Sequence, residues 1–218
     1  MQNMNEWTDG KVYNKNDMVR LECGDCAGCF SCCQGMGESV VLNPYDVWQL
    51  EINFGKSFSQ LINDKLELNV CDGIILPNLK MAGVKEVCGF LDKNGRCSIH
   101  SFRPGICRLF PLGRQYGENE IGYIFLEEAC PKHNKTKVKI KKWLDIPEFE
   151  KNESFLLRWH NLQKKVQKLV QEEEEETARE LNIYLLNLFY IESYGEAFYE
   201  VFEKRADMAE KLLKKLAE

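Results

Sequence analysis

Long apolar runs are missing from this 218-residue chain: nothing approaches the roughly 18–20 consecutive apolar residues that span a bilayer, so no membrane span is expected. The opening residues, MQNMNEWTDGKVYNKND, carry no basic start, apolar stretch or small-residue cleavage site, which argues against a secretory signal. A positive excess is also lacking. The net charge of −5 gives no field for sequence-independent binding to a polyanion, so nucleic acid is not an expected partner. Absent too are the phosphate-binding G-x-x-x-x-G-K-[ST] loop, the H-E-x-x-H helix, the dinucleotide fingerprint and a Ser-His-Asp order. The C-x3-C-x2-C run of radical enzymes fails as well, because Cys29 and Cys33 are followed at the required spacing by Met36.

What is present is an ordinary globular composition, 44% hydrophobic and 29% charged, with ten cysteines distributed very unevenly. All ten lie between Cys23 and Cys130, five of them within CGDCAGCFSCC at 23–33, and residues 141–218 hold none. With no export signal, a cytoplasmic location is expected, where thiols stay reduced and dense cysteine means metal or catalysis instead of disulfides.

The chain therefore divides into a cysteine-cluster part, 1–140, and a helical part, 141–218. In the first, Asn43 before Pro44 caps a helix reaching about Asn53, and Ser57 caps a second with Phe58, Leu61, Ile62 and Leu66 on its apolar face. GIILPNLKM and EVCGFL read as short extended segments, and DKNG at 92–95 as the turn of a small hairpin leading into RCSIH. Pro104 opens a short helix through Cys107 to Phe110, and 121–127 and 136–143 read as strands. From Asn152 onward apolar residues recur at spacings of three and four, giving two or three helices interrupted by the glutamates 172–176 and by Gly195. The expected class is α+β: a small irregular cysteine-rich metal-binding domain with a C-terminal helical segment packed on it, that segment available to a protein substrate or partner.

Cys26, Cys29 and Cys32 form C-x2-C-x2-C, and Cys33 follows directly. A C-x2-C turn aims backbone amides at its sulfurs and can set two of them on one metal. Adjacent side chains diverge, so Cys32 and Cys33 suit a polynuclear centre or two centres better than one tetrahedral ion. Cys88 and Cys97 flank the GFLDKNGR turn, Cys107 lies in RPGICRLFP, and Cys130 precedes Pro131 as iron-sulfur ligands often do. These eight cysteines are the candidate metal ligands. Cys23 stands as a further ligand, an alternate ligand or an exposed bystander, whereas isolated Cys71 reads as a small buried hydrophobe.

The run CAGCFSCC, then CGFLDKNGRCSIH at 88–100, RPGICRLFP at 103–111 and Cys130-Pro131 together resemble the CxxCxxCC, or YkgJ-type, cysteine-cluster family. That family is described as zinc- or iron-chelating and includes the flagellin lysine N-methylases. The resemblance implies a metal-binding domain over about 23–131, and either a protein lysine N-methylase using S-adenosylmethionine or an iron-sulfur protein of other function. This chain departs in having His100 where a tyrosine is expected after Cys-Ser-Ile; His100 and His133 are alternative ligands or hydrogen-bonded structural residues.

Single cysteines arriving from separate loops favour an iron-sulfur centre, one or two 4Fe-4S clusters, over zinc, which uses paired knuckles. Arg103, Arg108 and Arg114 surround Cys107 in sequence and can offset the charge of a thiolate-bound cluster. Arg108 is the candidate for holding a cosubstrate carboxylate. The alternative to an enzyme is a non-catalytic zinc- or iron-sulfur-stapled module for interaction or electron transfer. The lysines between 132 and 142, with Val138 and Ile140 alternating inward, read as a guarded edge strand.

Overall fold

A computed structural model describes residues 8–22, 24, 29–132 and 135–217. The chain forms two compact units, each made from two separate stretches: Met1–Gly37 with Met81–Glu153, and Glu38–Lys80 with Ser154–Glu218. The class is α+β with a C-terminal helical segment. Every described cysteine except Cys71 lies in the first unit. The helices after Ser154 share their unit with 38–80, a grouping that a linear division at residue 140 does not capture. Among the described residues, no helix is long and apolar enough to cross a membrane.

The first unit contains β1 (Thr8–Tyr13), β2 (Met18–Glu22), β5 (Met81–Ala82), β6 (Val87–Cys88), α3 (Gly105–Leu109), β7 (Leu112–Tyr116), β8 (Ile121–Leu126), β9 (Thr136–Lys139) and α4 (Ile140–Leu144). β1, β8 and β7 form an antiparallel sheet in that order, and β8 alternates strictly, burying Ile121, Tyr123 and Phe125. That period of two follows from strand geometry, which sends successive side chains to opposite faces. β2 pairs antiparallel with β9, Val19 opposite Val138, and both valines are buried with Leu21. The strand expected over 136–143 stops at Lys139, because Ile140 begins α4 and its own buried position closes the ladder.

The second unit holds α1 (Pro44–Phe54), α2 (Phe58–Ile62), β3 (Leu66–Cys71), β4 (Ile74–Leu79), α5 (Phe149–Glu172, from Ser154), α6 (Glu175–Leu186) and α7 (Phe198–Leu216). Both expected caps are full capping boxes: Asn43 with Asp46, and Ser57 with Gln60. Leu66, assigned by periodicity to the second helix, instead starts β3, since α2 ends at Ile62. β3 and β4 form a tight hairpin through Asp72 and Gly73, both at positive φ (50° and 85°), the pairing that Asp-Gly supplies. Cys71 at the end of β3 is exposed and not a core residue.

α6 docks on that hairpin through one buried side chain. Asn182 accepts from the Ile75 amide at 2.8 Å and donates to the Gly73 carbonyl at 3.0 Å, completing the main-chain pairing of β4. Around it the core is aromatic: Phe155 meets Phe198 and Phe202 edge to face at 5.2 and 4.6 Å, and Trp159 meets Phe189 at 5.0 Å. α6 ends in a π-type turn at Asn187–Ile191, and the break before α7 is held by buried Arg205. Its guanidinium donates to the carbonyls of Glu192 and Ser193 and lies 4.1 Å over Tyr194. Glu172 and Glu174 to Glu176 are exposed around the α5–α6 turn, as mutual repulsion of five adjacent carboxylates requires.

Replacing Asn182 by Ala leaves the buried Ile75 amide unpaired, and the expected loss is about 1–3 kcal/mol of second-unit stability. Tryptophan-fluorescence melting measures it, with the metal content of the first unit unchanged. An unaltered melt would show that Asn182 does not hold α6 to the hairpin.

Candidate metal centre

Three pieces of chain converge in the first unit. The segment after the C-x2-C-x2-C run makes one tight turn at Ser31–Cys33, closed by the Cys33 amide on the Phe30 carbonyl at 2.9 Å. It then runs beside β6: Gln34 bridges Val87, and the Gly35 amide reaches the carbonyls of Lys85 and Glu86 at 3.2 and 3.1 Å. Beyond β6 the expected turn forms at 92–95. The Asp92 carboxylate accepts from the amides of Asn94 and Arg96, both at 2.8 Å, Leu91 bridges Cys97, and Cys88 and Cys97 sit on its two flanks. Phe30 locks the first piece to the second. Its ring lies where a Cβ on Gly95 would stand 2.9 Å away, and Gly95 has φ of +72°, so this turn position accepts glycine and little else.

Cys32, Cys33, Cys88 and Cys97 are thereby brought within electrostatic range of one another, and their protons show it. Cys33 hydrogen-bonds Cys32 and stabilises its thiolate, pulling Cys32 down to about 6; burial opposes this, and Arg103 adds to it. Cys33 is pushed up, first as the partner that keeps the shared proton, then by burial and by the fields of Cys32, Cys97 and Cys88. Cys97 is also pushed up, chiefly by burial, against the pull of the Ile99 amide, Arg103 and Arg96. One thiolate is easily formed here, and each further one is opposed by those already present.

That donor set suits a bound cation, which removes the repulsion by ionising all the thiols at once. A second feature agrees with an anionic thiolate centre. Arg103 hydrogen-bonds the Nε2 of His100, while its own Nε is buried with no partner. A guanidinium N–H beside thiolate sulfur is the arrangement that offsets a cluster's negative charge. His100, with Nε2 engaged by Arg103, is placed as the orienting residue of that arginine.

The remaining expected ligands are distributed around this nucleus. Cys29 is half-buried, its sulfur 3.6 Å from the Ser31 hydroxyl. Cys107 lies half-buried in α3, and Cys130 follows β8, its carbonyl accepting from Lys135 Nζ at 2.9 Å. Leu126 bonds back to Pro111, so Cys107 and Cys130 leave the same end of the β7–β8 pair. Cys23, Cys26 and His133 lie outside the described residues. Among the described residues, no three His, Cys, Asp or Glu side chains are placed to share one metal ion.

Arg108 has a different position from the cosubstrate-facing one expected. Its Nε donates to the Arg103 carbonyl at 3.2 Å, and its terminal nitrogens donate to the carbonyls of Asp145 at 3.0 Å, Leu144 at 3.5 Å and Ser101. Those bonds tie α3 to the end of α4, a structural task that uses the fork a carboxylate would need. Sequence reading placed Arg103 only beside Cys107; its neighbours here are Cys32 and Cys97, and no linear pattern carries that information.

The Phe30–Gly95 contact gives a direct test. Gly95→Val forces a β-branched side chain into a left-handed position occupied by a ring, at an expected cost of about 1–3 kcal/mol. Metal content after dialysis should fall with first-unit stability, and wild-type content would show that the turn does not hold the ligands together.

No curated protein and no solved structure matches the chain. The family model named CxxCxxCC, described as "Putative zinc- or iron-chelating domain", matches residues 25–141, more than half of the chain. That span runs from the C-x2-C-x2-C segment past Cys130 and takes in every first-unit cysteine except Cys23. By its cysteine pattern and by that match, this chain is a metal-binding protein and belongs to the CxxCxxCC family.

Proposed function

We propose that the chain carries an iron-sulfur centre, or two, in a reducing cytoplasmic setting, as a metal-stapled module and not as a hydrolase or nucleotide-dependent enzyme. Cys32, Cys33, Cys88 and Cys97 are the nucleus of the ligand set, and Cys26, Cys29, Cys107 and Cys130 complete it. The observation that carries this reading is that Cys32, Cys97 and Cys88 all lie within electrostatic range of Cys33, with Arg103 acting on Cys32 and Cys97. Cys88 and Cys97 arrive singly and Cys32 and Cys33 as diverging neighbours, which suits a polynuclear centre whose irons each take one thiolate; a zinc knuckle delivers sulfurs in C-x2-C pairs. When bound, the centre supplies electron storage and a large share of the folding free energy of the first unit.

What the chain itself contributes is position and charge. The Asp92 turn holds Cys88 and Cys97 apart on its flanks, the Phe30 ring presses the Cys32–Cys33 segment against it, and Arg103 supplies the compensating positive charge. Methyl transfer from S-adenosylmethionine, which the family resemblance implies, relied on Arg108 to hold the carboxylate. With Arg108 donating to main-chain carbonyls, the metal-stapled module is the better account.

Anaerobically purified protein should contain iron and acid-labile sulfide and absorb broadly in the visible blue. Stoichiometric zinc without sulfide would sink the iron-sulfur reading while leaving metal binding intact. Cys97→Ser and Cys88→Ser should each lose most of the metal, whereas Cys71→Ser keeps it all; elemental analysis of the three variants decides, and equal metal in all would remove Cys88 and Cys97 from the ligand set.

A further inference from the structure

The ladder of β2 and β9 has two unlike faces. Val19, Leu21 and Val138 are buried on one, and the register puts Arg20 directly opposite Lys137 and Met18 directly opposite Lys139 on the other. Arg20, Lys137 and Lys139 are exposed, and Met18 is 49% exposed. Among the described residues, none of these three cations makes an ion pair or side-chain hydrogen bond, in a chain with a net charge of −5.

Lysine on an exposed edge guards against strand-to-strand aggregation. It does not account for two cations set directly across the ladder, where like charges lie about 5 Å apart and are destabilising. The face also has a specific location. Cys23 follows Glu22, the last residue of β2, and Cys130 stands six residues before Thr136, the first of β9. Glu22 and Thr136 are paired, so this end of the ladder is where the chain passes into both cysteine segments.

We propose that this face docks an acidic protein partner through an extended segment bearing carboxylates at alternate positions, next to the metal centre. The match is one of charge and spacing. Lys137 and Lys139 are two residues apart on a strand, about 6.7 Å, which is the spacing of alternate side chains in any extended peptide. Met18 supplies the adaptable apolar contact between the cations. Duplex nucleic acid and anionic membrane fit less well, because three cations on a small patch do not outweigh the repulsion of a polyanion by the net negative chain. The face's place beside the centre rests on the reading that Cys130 is one of the centre's ligands. Binding itself is measurable whatever the metal proves to be, so the two can fail separately.

The test uses the metal-loaded full chain and a fluorophore-labelled eight-residue peptide of alternating glutamate and threonine, followed by anisotropy at low ionic strength. Saturable binding is expected, weakening with added salt and falling at least tenfold in Arg20→Glu/Lys137→Glu/Lys139→Glu. The charge-matched Lys80→Glu/Lys214→Glu/Lys215→Glu should bind as wild type. If the first triple variant loses its metal or its fold, Arg20→Gln/Lys137→Gln serves, with a loss of at least threefold expected. Absence of peptide binding by the wild type, equal losses in both triple variants, or stronger binding to a DNA duplex or anionic vesicles than to the peptide would each overturn the proposal.

Discussion

Repulsion between thiolates confined to a small volume is the constraint on which the first unit depends. Cys33 resists ionisation because its hydrogen bond to Cys32, burial and the neighbouring sulfurs all disfavour another negative charge, and Cys97 because of burial, which Arg103 and Arg96 offset only in part. A protein that draws such groups together without a positive charge of comparable strength would lose stability in proportion to the number ionised. A bound metal reverses the sign of the interaction for every thiolate it ligates. The local structure serves that end: the Asp92 turn, the Phe30 ring on Gly95 and the pairing of 34–35 with β6 each fix one segment bearing a sulfur.

The second unit stands on a different principle. Its capping boxes, the Asp-Gly hairpin and the aromatic core of Phe155, Trp159, Phe189, Phe198 and Phe202 are the ordinary means by which a reduced, metal-free chain folds. Two of its polar core groups are held by main chain, Asn182 by β4 and Arg205 by the carbonyls at the helix break. On the function proposed above, thiol-held metal adds to the buried strand faces of the first unit, whereas the second rests on apolar burial.

Much of this was legible because the signals are local. Asn43-Pro44 and Ser57 announce helix starts through the bonds their side chains make within three residues, and DKNG announces a turn for the same reason. The α+β class, the exposed glutamates and the buried alternation of Val138 and Ile140 followed from composition and period. What was lost depended on distant partners or on competing periods. Leu66 fits a helical spacing, yet it lies four residues past the end of α2 and pairs with Leu79. β1 and β7 carry little apolar alternation of their own and exist through pairing with β8. Asp72-Gly73 is a local hairpin signal of the same kind as DKNG. Arg108 looked like a carboxylate fork because its neighbours in sequence are polar or metal-binding; the carbonyls of Leu144 and Asp145 that occupy it lie more than thirty residues away.

The central claim, that thiol-held metal is needed in addition to apolar burial to hold the first unit together, is tested most directly by amide hydrogen exchange of the loaded protein with and without a strong chelator under anaerobic conditions. The account predicts that chelation strips protection from 81–98 and 105–126 while α6 and α7 exchange as before. Unchanged protection across those first-unit segments after complete metal removal would contradict it.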